Sequence, residues 1–356
     1  MRFLHIGPRR GPHIRFVRTL IENDAVNEHI FLERFGDRVQ QRQAGKRAIG
    51  VLDRTIEVHR RLQLERADIL QRTRLINPDL VIFHSMELSR LGVMGLYGTR
   101  QRMLAHRYGA RPVRRGVIKR LAYSRISLWV VPDFRGKNAL MAAGIEEPRI
   151  KVLRPPIQKV QQRPAAQARA DLGVQPAETT LVVMEPTVEE IEVLTPVINN
   201  LASSDEGYQL IIADPAEEAA EQVISLAQPA GPRVTVVESK PEEMLINAAD
   251  AVLELSWDRS ESVRTEAVLA MGAKKEVIAL DSGSSRETLG PDGIYVASTD
   301  PTQVIPALRG YAPDPARRQR LYARGEAQFG LNKVNDHADA YKELAPLRSD
   351  SRARPA

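Results

Sequence analysis

The chain has no cysteine among its 356 residues, which excludes disulfides and thiolate metal sites. Aromatic residues make up only 5%, too few for a surface that stacks nucleic-acid bases. No apolar run approaches the roughly 18–20 residues of a membrane span. The longest, around Ile126–Val131, is strand-sized. Met1-Arg-Phe-Leu-His-Ile6 is too short for a signal peptide and reads as a first strand. These absences point to a cytoplasmic protein. Apolar residues still reach 43%, enough for real cores, and the length suits one oversized domain or two ordinary ones.

Acid is missing locally as well. Between Glu87 and Asp133 stand ten basic residues and no acidic one. Through Arg163 the chain carries 33 Lys and Arg against 14 acids; the remainder carries 18 against 31. A basic first half suits phosphates or an anionic membrane face, whereas the acidic second half argues against coating nucleic acid. Arg114-Arg-Gly-Val-Ile-Lys-Arg-Leu-Ala-Tyr123 alternates basic pairs with apolar residues. It reads either as a basic amphipathic helix lying on lipid or as an ordinary helix packing its apolar stripe on a sheet. On the first reading the protein is peripheral on the inner face of the membrane.

Periodicity gives the organisation. Arg2–Ile6 reads as a strand, Gly7 to His13 as a loop, and Ile14–Glu22 as a helix. Strand, glycine loop and helix open a Rossmann-like half. Gly7 would let backbone amides approach an anion, with Arg9 and Arg10 adding charge. A tight turn with solvated arginines is the plainer reading. The run Asn77-Pro-Asp-Leu-Val-Ile-Phe-His84 is a turn and a buried strand, so His84 stands at a strand's carboxyl end, where ligands bind. A neutral histidine bonded to backbone is the alternative. The fold class is α/β, with two Rossmann-like αβα domains. Residues 1–157 form the basic first domain and 158–179 a linker. Residues 180–312 form the acidic second domain, 313–346 terminal helices, and 347–356 a disordered basic tail.

The chemistry gathers in Trp257–Glu287. An apolar strand, Asp250–Ser256, precedes a polar loop, a small-residue helix closed by Gly272, a strand Val277–Leu280 and a glycine turn at Asp281-Ser-Gly283. Asp258 and Glu266 are eight positions apart, with Glu261 between them. No cluster has metal-ligand spacing.

This stretch resembles the donor-binding segment of GT-B-fold glycosyltransferases, above all the retaining glycogen-synthase-like and phosphatidylinositol-mannosyltransferase-like family. There a Glu, seven residues and a second Glu precede a helix of the form Glu-Ala-Met-Ala-x-Gly. A strand ending in Asp and a Gly-x-x-Glu turn follow. Here the spacing survives as Asp258, seven residues, Glu266; the first carboxylate is Asp, and the run to Gly272 is one residue longer. The resemblance implies two domains facing across a cleft, with the terminal helices returning to the first. It implies a nucleotide-sugar donor, a lipid-linked or surface-polymer acceptor, and neither cofactor nor metal. Glu266 would bond the donor ribose, and Asp258 or Glu261 the sugar hydroxyls. Gly283 and Ser284 would line the donor pocket. His84 and His13 are the polar candidates from the first domain. Arg264, Arg286, Lys274 and Lys275, with Arg9 and Arg10, would offset the diphosphate charge.

The chain departs from the family where the donor phosphates would lie. Strand exits that there carry glycine, Arg and Lys read Met184-Glu-Pro-Thr-Val-Glu-Glu190, Ala213-Asp-Pro215 and Glu238 here. Acids at those exits repel a diphosphate. The alternative is therefore a catalytically degenerate GT-B-like protein docking on anionic membrane or a partner enzyme through Arg100–Arg125.

Overall fold

The computed structural model describes residues 1–8, 12–34, 66–84, 86–108, 123–157, 159–174, 179–186, 188–203, 207–215, 217–255 and 263–344. They divide into two compact units, Met1–Pro156 with the chain from Leu331 onward, and Ile157–Gly330.

The first unit is built on β1 (Arg2–Pro8), β2 (Glu28–Arg34), β3 (Leu80–Phe83), β4 (Met103–His106), β5 (Leu128–Val131) and β6 (Ile150–Val152). They form one sheet in the order β2-β1-β3-β4-β5-β6, parallel at every pairing. Strands β3, β4 and β5 are buried at every residue, as strands covered on both faces must be. One face packs Leu4, Ile6, Phe83 and Trp129. The other packs Phe3, Ile82 and Leu104 beneath Phe16, Leu20 and Tyr341. Tyr341 belongs to the last helix, Lys333–Leu344, and meets Phe3 edge-on at 5.5 Å.

Strand β4 lies within the basic stretch Arg100–Arg125 and was not expected there. Met103-Leu-Ala-His106 has three apolar residues and a histidine between arginines, too short a run to stand out in the sequence. Burying it takes Arg107 inside as well, 4% exposed, where Nη1 donates to Gly136 O at 3.3 Å. Arg102 and Arg125 donate to the carbonyls of Leu344 and Thr99. Of the expected amphipathic helix Arg114–Tyr123, residues 114–122 lie outside the described residues. So does the tail 347–356.

The second unit uses β7 (Thr179–Met184), β8 (Tyr208–Ala213), β9 (Val234–Val237), β10 (Ala251–Glu254), β11 (Glu276–Leu280) and β12 (Ile294–Val296). The order is β12-β11-β10-β7-β8-β9, again wholly parallel. Each sheet grows outward from its first strand and then reverses, so its switch point lies between β1 and β3 or between β7 and β10. Of the two terminal helices, Lys333–Leu344 belongs to the first unit and Pro315–Phe329 to this one. Its Leu321 enters the core, Phe329 packs on Val263 and Val268, and Gly325 lies against Met271.

Glycine is required where elements touch closely. A Cβ on Gly92, in the helix Met86–Gly95, would sit 2.1 Å from Cε1 of Phe83. Gly92→Ala is expected to destabilise the protein by about 1–3 kcal/mol in urea unfolding. Gly272, last in the helix Thr265–Gly272, has no such neighbour within 4 Å. Gly272→Ala is expected to be neutral or stabilising by up to about 1 kcal/mol. Equal effects of the two variants would contradict this packing.

Candidate functional site

Open parallel sheets bind ligands beyond the carboxyl ends of their strands, at the switch point. In the second unit four ionisable side chains meet at this edge among the described residues. β10 ends on Glu254, 2% exposed. Arg264, at the N-cap of the helix Thr265–Gly272, sends Nε to Glu254 Oε2 at 2.9 Å and Nη2 to Glu190 Oε1 at 3.2 Å. Glu266, in the first turn of that helix, brings Oε2 to 3.7 Å from the same Nε. Its charge also meets the positive end of the helix dipole.

Three carboxylates thus surround one guanidinium in a site shielded from water. Each ionised carboxylate in so buried a place is costly. Burial pushes the Glu254 carboxyl up to about 8; Arg264 opposes this, while Glu266 and Glu190 reinforce it. Glu254 therefore carries a proton at neutral pH. The sequence carried one signal for it, an acid inside an otherwise apolar strand.

The other expected donor residues are distributed as follows. Asp258, Glu261, Arg9 and Arg10 lie outside the described residues. Gly283 opens the helix Gly283–Leu289 just past β11 and is exposed, whereas Ser284 is buried. A reciprocal cap fixes that turn: Ser285 N donates to Ser282 Oγ at 3.1 Å and Ser282 N donates to Ser285 Oγ at 2.9 Å. Arg286 binds Asp281 through two hydrogen bonds, at 2.5 and 2.7 Å, and lies over the Tyr295 ring. Lys274 and Lys275 are not at this edge. They precede β11, so they fall at its amino end, where Lys275 Nζ donates to the carbonyls of Asn247 and Ala249 at 2.9 and 2.8 Å.

The exits of β7, β8 and β9 have a common backbone feature. Glu185, Asp214 and Ser239 all adopt left-handed conformations, with φ of 49°, 47° and 54°. Glycine meets that geometry without strain, whereas side chains usually avoid it. The turns are held nonetheless. Glu185 N donates to Ala213 O at 2.8 Å, Asp214 N to Val237 O at 2.9 Å, and Ser239 N to Asp214 Oδ1 at 2.6 Å. The chain keeps a glycine-like backbone while filling it with polar and acidic side chains.

In the first unit, Gly7 is part of β1, which continues to Pro8 instead of ending at Ile6. His13 lies in the first turn of the helix Pro12–Asn23. His84 follows β3 and is 2% exposed. Its ring is bonded to side chains: Nε2 lies 2.9 Å from His5 Nδ1, and Nδ1 lies 2.9 Å from the Tyr108 hydroxyl. His106 stacks on it at 4.9 Å and meets the Tyr341 hydroxyl at 2.8 Å. The sequence reading treated His84 singly and missed His5, His29, His106 and Tyr108. Histidines on neighbouring strands were the available signal. Among the described residues, no group of three or more acidic or histidine side chains is arranged to hold a metal ion.

The protonated state of Glu254 has a measurable consequence. The unfolded carboxyl ionises near 4.5, while the folded one keeps its proton to about 8. The folded state binds more protons across that window, so stability declines as pH rises through it. Urea midpoints of Glu254→Gln measured across this range should lose that decline. A slope equal to the wild-type one would place the proton elsewhere.

No protein-family model matches this sequence, and no curated protein matches it. Solved structures do match in three dimensions. A glycosyltransferase from Rickettsia africae superposes with a TM-score of 0.72 at 14% identity, over 98% of this chain and 99% of that one. Anabaena HepE in complex with UDP-glucose gives 0.72 at 16%, over 97% and 100%. Sucrose-phosphate synthase from Thermosynechococcus elongatus gives 0.72 at 17%, over 97% and 99%. At such identities the likeness carries the fold alone: over nearly its whole length, this chain has the GT-B-type fold of glycosyltransferases.

Proposed function

We propose that the protein transfers a sugar from a nucleotide-activated donor to a hydroxyl of a lipid-linked or cell-surface glycan acceptor. The observation that carries this is Glu266. It stands in the first turn of the helix following β10, beside the switch point of a sheet whose whole-chain fold matches an enzyme solved with UDP-glucose. A carboxylate there can accept two hydrogen bonds from ribose hydroxyls, and charge-assisted bonds of this kind are strong. Asp258 or Glu261 would hold the sugar hydroxyls, and Gly283 with Ser284 would line the donor pocket. The basic first unit would receive an acceptor bearing phosphate, with His13 as a polar contact; His84 is buried and both its ring nitrogens are engaged. Arg100, Arg102 and Arg125 are exposed and would face an anionic membrane carrying that acceptor.

A second reading has its own support. Arg264 and Arg286 already bind carboxylates, and acids occupy two strand exits. A protein that had lost donor binding, and docked on membrane or a partner enzyme, would tolerate these features.

Isothermal titration with UDP-, GDP- and dTDP-sugars separates the two. Binding of a UDP-sugar is expected, and no heat from any donor would support the degenerate binding protein. Glu266→Ala is expected to weaken donor binding by about 10- to 100-fold. Full affinity in that variant would remove Glu266 from the site. Glu185→Gly deletes one acid and one left-handed side chain, and is expected to tighten nucleotide binding about two- to fivefold. Unchanged affinity there would mean that the β7 exit does not meet the phosphates.

A further inference from the structure

Single exposed apolar side chains are common on protein surfaces and carry little meaning alone. In this chain the most exposed of them coincide. Among the described residues Val26 is 78% exposed, Leu75 77% and Tyr97 78%, well ahead of Phe134 at 59% and Ile224 at 46%. Each of the three stands in a connection that leads into a strand of the first sheet. Val26 precedes β2, Leu75 precedes β3 and Tyr97 precedes β4. Because these strands run parallel, all three side chains fall at the amino edge of the sheet. In the order β2-β1-β3-β4 they are spread over three strand spacings, about 14 Å.

The turns that carry them are tied down. Val26 N donates to Asp24 Oδ1 at 3.2 Å. Arg2 Nη1 donates to the carbonyl of Ile76, next to Leu75, at 2.9 Å. Thr99 Oγ1 donates to Leu96 O at 2.7 Å and closes the turn around Tyr97, where Gly98 takes a φ of 81°. Neighbouring turns are also joined. Gln101 Nε2 donates to Pro78 O at 3.2 Å, and Arg125 Nη2 donates to Thr99 O at 3.1 Å.

Positive charge follows the same edge. Residues 74–79, 96–102 and 123–127 lead into β3, β4 and β5. They contain Arg74, Arg100, Arg102 and Arg125, all exposed, against Asp79 alone. Toward β2 the exposed acids are Glu22 and Glu28, and Arg2 meets Glu28 at 2.7 Å. Ordered apolar tips among arginines fit an anionic bilayer. The tips enter the boundary between headgroups and acyl chains, and the lipid phosphates attract the arginines. Tyrosine is favoured at that depth. A folded protein partner is held instead by one close-packed apolar centre, whereas these tips are spread along an edge.

We propose that the amino edge of the first sheet is a docking surface for an anionic lipid bilayer, with Val26, Leu75 and Tyr97 as apolar anchors and the four arginines at the headgroups. The carboxyl edge of the same sheet, where parallel sheets bind ligands, then stays clear of the lipid. Docking of this kind does not depend on glycosyl transfer and holds on either reading of the function.

Co-sedimentation of the full chain with phosphatidylcholine vesicles, with and without roughly one-third phosphatidylglycerol, tests this. Binding to the anionic vesicles is expected, at least about tenfold stronger than to phosphatidylcholine alone and weakened by raised salt. Absence of binding to anionic vesicles overturns the proposal and leaves the edge to a protein partner. The triple variant Val26→Ser, Leu75→Ser, Tyr97→Ser keeps every arginine and alters only exposed side chains. With an unchanged urea midpoint, it is expected to partition onto anionic vesicles about tenfold less, or lower still. Wild-type partitioning by the folded variant would assign lipid binding to arginines elsewhere and overturn the docking face.

The lack of cysteine allows a second readout that needs no triple variant. A polarity-sensitive fluorophore attached at Leu75→Cys or Tyr97→Cys is expected to shift to the blue on anionic vesicles. The same label at Ile224→Cys, on the helix Glu217–Ala227 of the second unit, is expected to stay unchanged. An equal shift at all three positions, or a shift at Ile224 alone, overturns the assignment of this edge. Failure of every donor sugar to bind would remove the glycosyl-transfer reading and leave these lipid results standing.

Discussion

Parallel strand pairing is the constraint on which the rest of this structure depends. It gathers the carboxyl ends of all strands in a sheet at one edge and the amino ends at the other, and it buries the central strands on both faces. A polar side chain on such a strand must find its partner inside the protein. The second sheet solves this in opposite ways at its two edges. At the amino edge, Asp250 and Glu276 meet Arg169, Arg317 and Arg318, and Tyr311 donates to Glu276 at 2.7 Å. Lys275 nearby is pushed down to about 8 by burial. Cations are in excess there, and the network ties the helix Pro315–Phe329 to the sheet. At the carboxyl edge three acids share Arg264. The cation-rich edge holds the fold, and the acid-rich edge is the one proposed to meet the donor.

The left-handed strand exits show how backbone and side chain can be decoupled. Glu185, Asp214 and Ser239 cost conformational energy that glycine would not, about 1 kcal/mol or more each. Hydrogen bonds from each turn to the neighbouring strand keep the geometry in place. A glycine-like turn shape thus occurs at all three exits with polar and acidic side chains on it.

The sequence disclosed what local pattern carries. Buried apolar runs disclosed β3, β5, β10 and β11, and small residues closed by glycine disclosed the helix Thr265–Gly272. Glu266 stood out through its spacing from Asp258 and the resemblance that spacing supports. Partners were not visible, because parallel strands are joined by crossovers that separate neighbours in space by many residues. Arg264 meets Glu254 ten positions away and Glu190 seventy-four away. His5 meets His29 across twenty-four positions and His84 across seventy-nine. No periodicity records such pairs. Strand β4 was missed for another reason: three apolar residues and a histidine between arginines give too little contrast with the surrounding charge.

The two switch points also differ in how they keep polar groups inside. The second unit buries formal charges and relieves the excess with a proton on Glu254. The first unit buries imidazoles, which cost little to desolvate when neutral, with the Asp24 carboxylate beside them. The two arrangements respond differently to substitution. Removing one acid beside Arg264 changes the local charge directly, and the effect stays local. Asp24 is held by donors from Val26 and Asn27 and meets His29, and the contacts continue from His29 through His5 to His84. The polar interior of the first sheet is therefore linked from strand to strand, whereas the ion cluster of the second sheet is local.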